Sequence, residues 1–600
     1  MDPEKQMEEI QNILQKLENT HLSSGPLREK INCCKAKLNL NNDDMEVIYN
    51  LTETHSPGLR NKTVHKYAKL IEKESDLCQR LTQLELSKQT LDIKCFTYPK
   101  EKKIEEMLRR VQEMPKEWTI VQLTPQFNPL EIMNNNKYIY FTNSIHISVF
   151  HCGEKEEPFF VTANAPRDSV NGEQIELAKE LLSILRLNKE GLTSHTQSRF
   201  ENHKEKQRYC DKIQSVDDRM KLLIKDIQNL WLKEWRCLFT GKFCDTNLEH
   251  QIKIELKKCF TTQVPDLKLT KKIEMILCCA IKTYIQLNMN EVKKVVHYCL
   301  PDANKNEIRI IGNFIRSIGQ KLFIENSKTK CHPVILILHD SLDAFPWEMI
   351  DVLEEQPACR LPSLHFLYCL FKEHENEIVD GYKIITDYEN GGYVVNPNLD
   401  LKKMETRMMS FFNYWTPKWI GSAGYSPTKD HFFDLLTNTE IFSYNGHGSG
   451  SNYIPTEKLQ KSHVKAIVLL FGCGSTRLVR TDPQTDMFGH YYMYLIARCP
   501  CVVGMLWDVT DKATDILSTD FMSYWIPSNA SKHWKYVDKE KWKKGEDKVI
   551  LSNNQPAFEE HLWEPGLLLA LIWAKKNLPN IMTRAACVAR GLPVRIKKKC

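Results

Sequence analysis

Ile467-Val468-Leu469-Leu470-Phe471-Gly472-Cys473-Gly474-Ser475 is the stretch whose reading decides the fold. An unbroken apolar run is what a strand covered on both faces of a parallel sheet needs, since neither side-chain row meets water. The run stops in glycines that bracket one thiol, and glycine there permits tight turning and close backbone approach. A second stretch, Phe442-Ser443-Tyr444-Asn445-Gly446-His447-Gly448-Ser449-Gly450, repeats the design around an imidazole. Positions 447 and 473 are 26 apart, enough for one crossover between neighbouring parallel strands. Such strands present their loops at the carboxyl edge of the sheet, where open α/β sheets hold their sites. A thiol beside an imidazole is the minimal apparatus for acyl transfer.

Working outward, Pro333-Val334-Ile335-Leu336-Ile337-Leu338 reads as another buried strand, and Tyr393–Val395, Ile441–Tyr444, Ala466–Phe471 and Val502–Met505 as further ones. Lys402–Phe412 and His431–Leu436 between them have helical spacing, so residues 331–600 form a doubly wound α/β unit. Before it, Trp118–Leu123, Tyr138–Thr142, Ile145–Phe150 and Pro158–Val161 show strand character. Helical stretches follow at Gly172–Leu187, Ser198–Leu238, Leu248–Cys259 and Leu269–Leu287. Residues 113–330 are therefore a second α/β domain with a helical insert. Residues 1–112 read as helices, Glu8–Leu17 and Val64–Leu86 among them, with breakers at Ser23-Ser24-Gly25-Pro26 and Ser56-Pro57-Gly58.

Composition excludes several classes. The chain has 600 residues, 42% hydrophobic and 26% charged, with a net charge of +6, which is small for its length and gives no sign of a nucleic-acid binder. No apolar run approaches the roughly 20 residues of a membrane span, and no apolar leader follows Met1. The expected location is the cytosol or nucleus. The twenty cysteines are scattered without a CxxC pair, so free thiols are expected and neither a zinc site nor any cofactor.

Cys473 on residue type alone is more often a packed core thiol, and His447 a satisfied turn histidine. Their glycine settings favour chemistry. A helix beginning after Cys473 would lower its pKa, and the backbone N–H groups of Gly448 and Cys473 could hold an oxyanion. Past the strand ending at Gly504, Asp508, Asp511 and Asp515 form a carboxylate cluster. Thr510 or Asp511 would cap a helix there, and the remaining carboxylates could bind a basic side chain.

At these residues the chain resembles the separase family, cysteine endopeptidases of the caspase-like clan that open cohesin at anaphase. The matching features are Tyr444–Gly450 with Tyr453, Phe471-Gly472-Cys473, Cys499-Pro500, Val503-Gly504 and Leu506–Asp511 with Asp515. Pro346-Trp347-Glu348, Arg360–Ser363, Asn396-Pro397 to Asp400-Leu401 and Gly591–Val594 fit in the same order. The segment Pro115–Leu123 resembles the start of the family's preceding substrate domain. The resemblance implies a caspase-like catalytic domain over 331–600, with His447 and Cys473 as dyad and cleavage after arginine. It also implies that Asp515, with Asp511 second, grips that arginine. It further implies a cohesin kleisin as substrate and a securin-type chaperone as inhibitor. The place of action would be the cytoplasm, with access to nucleus, chromosomes and spindle in mitosis. Where many relatives carry two serines after the cysteine, this chain has Gly474 and Ser475. The family's long helical arm is replaced by about a hundred residues; the arm is either a separate subunit or missing by truncation. Glu106–Arg109 and Glu205–Arg208 match the family's preference for an acidic residue three before arginine, although both fall in expected helices.

Overall fold

The computed structural model describes residues 9–10, 12–14, 16–17, 24–40, 42–80, 92–99, 101–127, 142–168, 171–197, 203–325, 330–454, 456–480, 485–545, 549–551 and 562–597. Of the strand expected at Tyr138–Thr142 only Thr142 is among them, and of the helix expected at Glu8–Leu17 only Glu8, Gln11 and Gln15 are not.

The strands run β1 (Thr119–Pro125), β2 (Ile145–His151), β3 (Phe159–Ala163), β4 (Val334–Leu338), β5 (Ala358–Leu361), β6 (Ile378–Val379), β7 (Tyr382–Ile385), β8 (Gly391–Val395), β9 (Ile420–Ala423), β10 (Ile441–Asn445), β11 (Ile467–Leu470), β12 (Cys501–Met505), β13 (Cys587–Gly591) and β14 (Val594–Ile596). Eleven of them form one sheet in the order β3-β2-β1-β4-β5-β13-β12-β11-β10-β8-β9, and β14-β7-β6 form a small second sheet. Pairing in the large sheet is parallel except for β1–β2, β2–β3 and β12–β13. β4 and β11 are buried at every position, as their unbroken apolar sequences require.

β1 pairs directly with β4, Thr119 opposite Val334 through Leu123 opposite Leu338. The 113–330 and 331–600 segments therefore share one sheet, and position 330 falls in the return from the helical insert. That insert, between β3 and β4, comprises helices Leu177–Gln197, His203–Asp226, Thr246–Gln263, Lys271–Lys282, Met289–Cys299 and Lys305–Glu325. The last two were not expected from periodicity, although the Asn288–Glu291 capping box marks the start of the first. The single stretch expected over Ser198–Leu238 breaks after Asp226 into a π-type turn, Ile227–Leu232, and a 3-10 turn, Lys233–Leu238. Trp235, Arg236, Cys237 and Leu238 are all buried there, which a regular amphipathic helix with one apolar stripe would not allow.

The N-terminal helices Gly25–Asn39 and Pro57–Arg80 start where the breakers stand, Ser24 capping the first, and Asp44–Glu53 between them is capped by Asp43. They dock on the catalytic unit. Ser56 Oγ donates to the Pro362 carbonyl (3.2 Å) and Tyr67 Oη to that of Ile496 (2.6 Å). Arg60 Nη1 lies 3.1 Å from both Glu53 and His365. Burial alone would raise the Glu53 carboxyl, but Arg60 and His365 hold it down at about 2.

Candidate active site

β10 and β11 are adjacent and parallel, with Ile441 opposite Ile467 and Tyr444 opposite Leu470, so the loops leaving them meet at one edge. Gly472 is where they touch. A methyl group on its Cα would lie 2.0 Å from the Gly448 carbonyl oxygen and 2.6 Å from that of Gly446, both backbone atoms. Glycine at 472 is thus required by close approach, and the backbone that approaches, Gly446 to Gly448, is what the sequence did not name. Gly472→Ala should part the two loops, costing about 1–3 kcal/mol of stability by overpacking and about 100-fold in kcat through misplaced reacting groups. Denaturant titration and steady-state kinetics check both, and near-wild-type turnover would show that the loops need not touch.

His447 and Cys473 line one cleft of about 480 Å³ with Asn398, Gly448, Arg477 and His490. Gly448 sits at φ +60°, and nothing lies within 4 Å of where its Cβ would be, so its backbone faces open space. The Tyr444 hydroxyl donates to the His447 carbonyl at 2.9 Å and fixes the turn. The Cys473 loop is tied to its other neighbour. Ser475 Oγ donates to the Leu470 carbonyl (2.8 Å) and accepts from Met505 N–H (2.9 Å), and Gly474 N–H donates to the Trp507 carbonyl (3.1 Å). Ser475 therefore bridges β11 and β12.

The thiol of Cys473 donates to the Val509 carbonyl at 3.2 Å. Burial raises its pKa, and the Val509 hydrogen bonding works in the other direction. Neutral thiol is the resting form. No helix begins directly after Cys473: residues 473–476 form turns, and among the described residues the next helix is Tyr491–Ile496. Backbone ties to Trp507 and Met505 hold this loop in place of a helical turn, so no helix dipole supports the thiolate from this side.

Asp400 escaped the residue-level reading. Its Oδ2 lies 2.9 Å from His447 Nε2, and both side chains are about half exposed. It is carried on a built loop. Asn396 (φ 48°) and Leu399 (φ 67°) adopt left-handed backbone that ordinary residues avoid. The Asn396 side chain accepts from Leu401 N–H (3.0 Å) and donates to Glu405 (2.6 Å). Asn396-Pro397 and Asp400-Leu401 entered the sequence reading only through the family resemblance, and nothing local pointed Asp400 at His447. Asp400→Asn should lower kcat about tenfold with KM and melting temperature unchanged, less than the 10⁴-fold effect of neutralising a fully buried orienting carboxylate. Partial recovery in Asp400→Glu would mark it as a positioning residue; an unchanged kcat would remove it.

Asp515 and Asp511 lie away from the cleft lining. Both sit at the start of the helix Asp511–Trp525, which Thr510 caps. Asp515, 2% exposed, receives Arg407 Nη2 at 2.6 Å, and the same nitrogen reaches Asp511 at 3.0 Å. Burial drives the Asp515 carboxyl up to about 8, with Arg407 opposing the shift. The carboxylate pair thus already holds an arginine, one supplied by the chain's own helix Lys402–Trp415. Asp511 keeps an exposed edge, and Asp508, at the turn before the helix, faces the thiol closely enough to raise its pKa. Arg109 of the Glu106–Arg109 pattern is spent within its own helix, donating to Glu106 at 2.7 Å. Every cysteine whose side chain is described is a free thiol. Among the described residues no helix is long and apolar enough to cross a membrane.

A mostly parallel sheet whose adjacent strand tips present a thiol and an imidazole to one cleft is the layout of the caspase-like α/β class. The comparisons narrow the class. The family profile described as "Separin, protease domain" matches residues 142–516. The chain belongs to that family. Separin of Mus musculus is 28% identical over 317 residues, covering 52% of this chain and 14% of its own length. Separin of Schizosaccharomyces pombe is 33% identical over 191 residues, 32% of this chain and 10% of its own. In fold the chain is similar to the Saccharomyces cerevisiae separase of a separase–securin complex, with a TM-score of 0.68 and 17% identity over 99% of this chain and 38% of that one. The chain spans well under half the length of these relatives.

Proposed function

We propose that this chain is a cysteine endopeptidase that cleaves after arginine, with an acidic residue three positions before it, in a cohesin kleisin subunit. Cys473 is its nucleophile and His447 its base. The observation that carries the reading is the convergence of these two side chains on one cleft from the tips of adjacent parallel strands. With Nε2 engaged by Asp400, Nδ1 is the ring nitrogen left to take the thiol proton. The thiolate then attacks the scissile carbonyl while the N–H groups of Gly448 and Cys473 stabilise the oxyanion. The imidazolium protonates the leaving amine, and water resolves the acyl-enzyme. A substrate arginine would approach Asp511 at its exposed edge and compete with Arg407 for Asp515. By the same family logic a securin-type chaperone inhibits the enzyme, and a helical arm, on a separate subunit or on this chain, completes the assembly. The work is done in the cytoplasm, with access to chromosomes and spindle in mitosis. No direct sequence-specific nucleic-acid contact is needed, and no membrane.

A library of peptides with a fixed acidic residue and a varied cleavage-site residue tests this. Arginine should dominate with the inhibitor absent and the full assembly present. Preference for aspartate or lysine would favour a caspase-like peptidase of other substrate class. No cleavage at all, with no labelling of Cys473 by an acyloxymethyl ketone, would leave an inactive securin-binding scaffold.

A further inference from the structure

A second cavity, of about 350 Å³, shares no lining residue with the cleft. It opens where helix His203–Asp226 of the insert meets helices Leu567–Lys576 and Ile581–Ala586 of the catalytic unit. Leu353, Leu568, Leu571 and Ile581 give it an apolar wall. Its volume falls at the lower end of the range for pockets that take a small ligand, about 300–1,000 Å³.

The polar groups of this cavity do not balance. Two of its three carboxylates are consumed by internal arginines, Glu348 by Arg360 at 2.7 Å and Asp351 by Arg236 at 3.3 Å. Of its five cations, Lys221 is matched to Asp218 (3.0 Å) and Lys576 to Glu355 (2.6 Å), while Lys225, like the third carboxylate Glu354, is exposed to solvent. Lys575 is 8% exposed, and its Nζ makes no hydrogen bond or ion pair among the described residues. Beside it, Arg584 Nε is buried without a partner. A largely buried lysine without an ion-pair partner of its own is unfavourable unless something anionic arrives. Burial lowers the Lys575 pKa, and the positive Arg360 and Arg584 add to the shift, against the pull of Cys587 and Glu348. The cavity is thus short of one negative group at its floor and offers aliphatic contact around it.

We propose that this cavity is a docking site for an acidic, aliphatic peptide segment of a partner protein, a carboxylate seated on Lys575 and Arg584 and a leucine-sized side chain against Leu568 and Leu571. The carboxylate would make charge-assisted hydrogen bonds that neither a neutral amide nor an apolar side chain can replace. This reading does not depend on the protease assignment, because none of these residues touches the cleft.

The full chain should bind fluorescein-labelled acetyl-Glu-Leu-Leu-amide, read by anisotropy, and at least about tenfold more tightly than the Gln-Leu-Leu counterpart. Lys575→Met keeps the length and removes the charge. It should lose the Glu peptide by about tenfold or more, hold or raise the melting temperature, and cleave substrate peptides as wild type does. Four results would overturn the proposal: no binding at about 1 mM peptide, equal binding of the Glu and Gln peptides, wild-type affinity in Lys575→Met, or displacement by inorganic phosphate as effective as by unlabelled peptide. The last would make the cavity a general anion site.

Discussion

Cys473→Ala lowers kcat/KM on an arginyl peptide by at least about 10,000-fold, and His447→Ala by about 100- to 10,000-fold, in enzyme that folds as wild type. The two losses should not add. A nucleophile and the base that activates it work as a unit, so the double variant should be no worse than Cys473→Ala alone. This non-additivity separates a dyad from two unrelated side chains in a cleft, because independent contributions would multiply. Stability should barely move, since Cys473 is only half-buried at a loop tip and His447 is half exposed. The resting geometry adds a second readout. The Cys473 thiol donates to the Val509 carbonyl, and burial raises its pKa, so alkylation by iodoacetamide without substrate should be slow at neutral pH. It should quicken as pH climbs through and beyond the ordinary thiol range, because a raised pKa leaves little thiolate below it. Fast labelling at pH 6 would contradict this resting state. A Cys473→Ala enzyme that still cleaved would end the protease assignment of this cleft.

The largest effect on stability is expected far from any exposed chemistry. Asp343, 4% exposed, accepts both Nη atoms of Arg590 at 2.7 Å, and Arg590 is itself 2% exposed. Arg590 also donates to the Thr476 carbonyl (3.1 Å) and lies over the Tyr491 ring at 4.1 Å. A neighbouring guanidinium, Arg360, donates to the Asp343 backbone carbonyl and pairs with Glu348. Asp343→Ala leaves a buried guanidinium uncompensated, which costs about 3–5 kcal/mol, a large part of the roughly 5–15 kcal/mol that holds a typical fold together. Asp343→Leu combined with Arg590→Met removes both charges and should recover most of that loss. Because Thr476 closes the loop that carries Cys473, the single variant should also lose activity where it remains folded. Urea titration decides the matter: a loss below about 1 kcal/mol would mean that solvent reaches the pair.

Most of the site was legible because its chemistry is local. A glycine-bracketed thiol after an apolar run, and a glycine-bracketed imidazole after another, announce strand tips without coordinates. Asp400 was not legible as a partner of His447. Its place depends on how the β8 loop, bent through left-handed Asn396 and Leu399, folds over the β10 loop. The fate of Asp511 and Asp515 was hidden for the same reason, since Arg407 comes from a helix more than a hundred positions upstream. Short strands such as β5, β9 and β13 gave no usable periodicity, because their pairing rather than their own pattern makes them strands.

Sequence by itself determined the parallel α/β class, the strands β4, β8, β10, β11 and β12, and the two residues at the edge of the sheet. Each follows from burial on both faces of a short segment and from the conformational freedom of glycine, which are properties of neighbouring residues. Tertiary structure alone decided that β1–β3 extend the catalytic sheet, that the N-terminal helices dock on it, that Arg407 fills the acidic pair, and that Lys575 has no ion-pair partner among the described residues. Those outcomes depend on which charges and backbone edges from distant segments meet, and no local pattern encodes such a meeting.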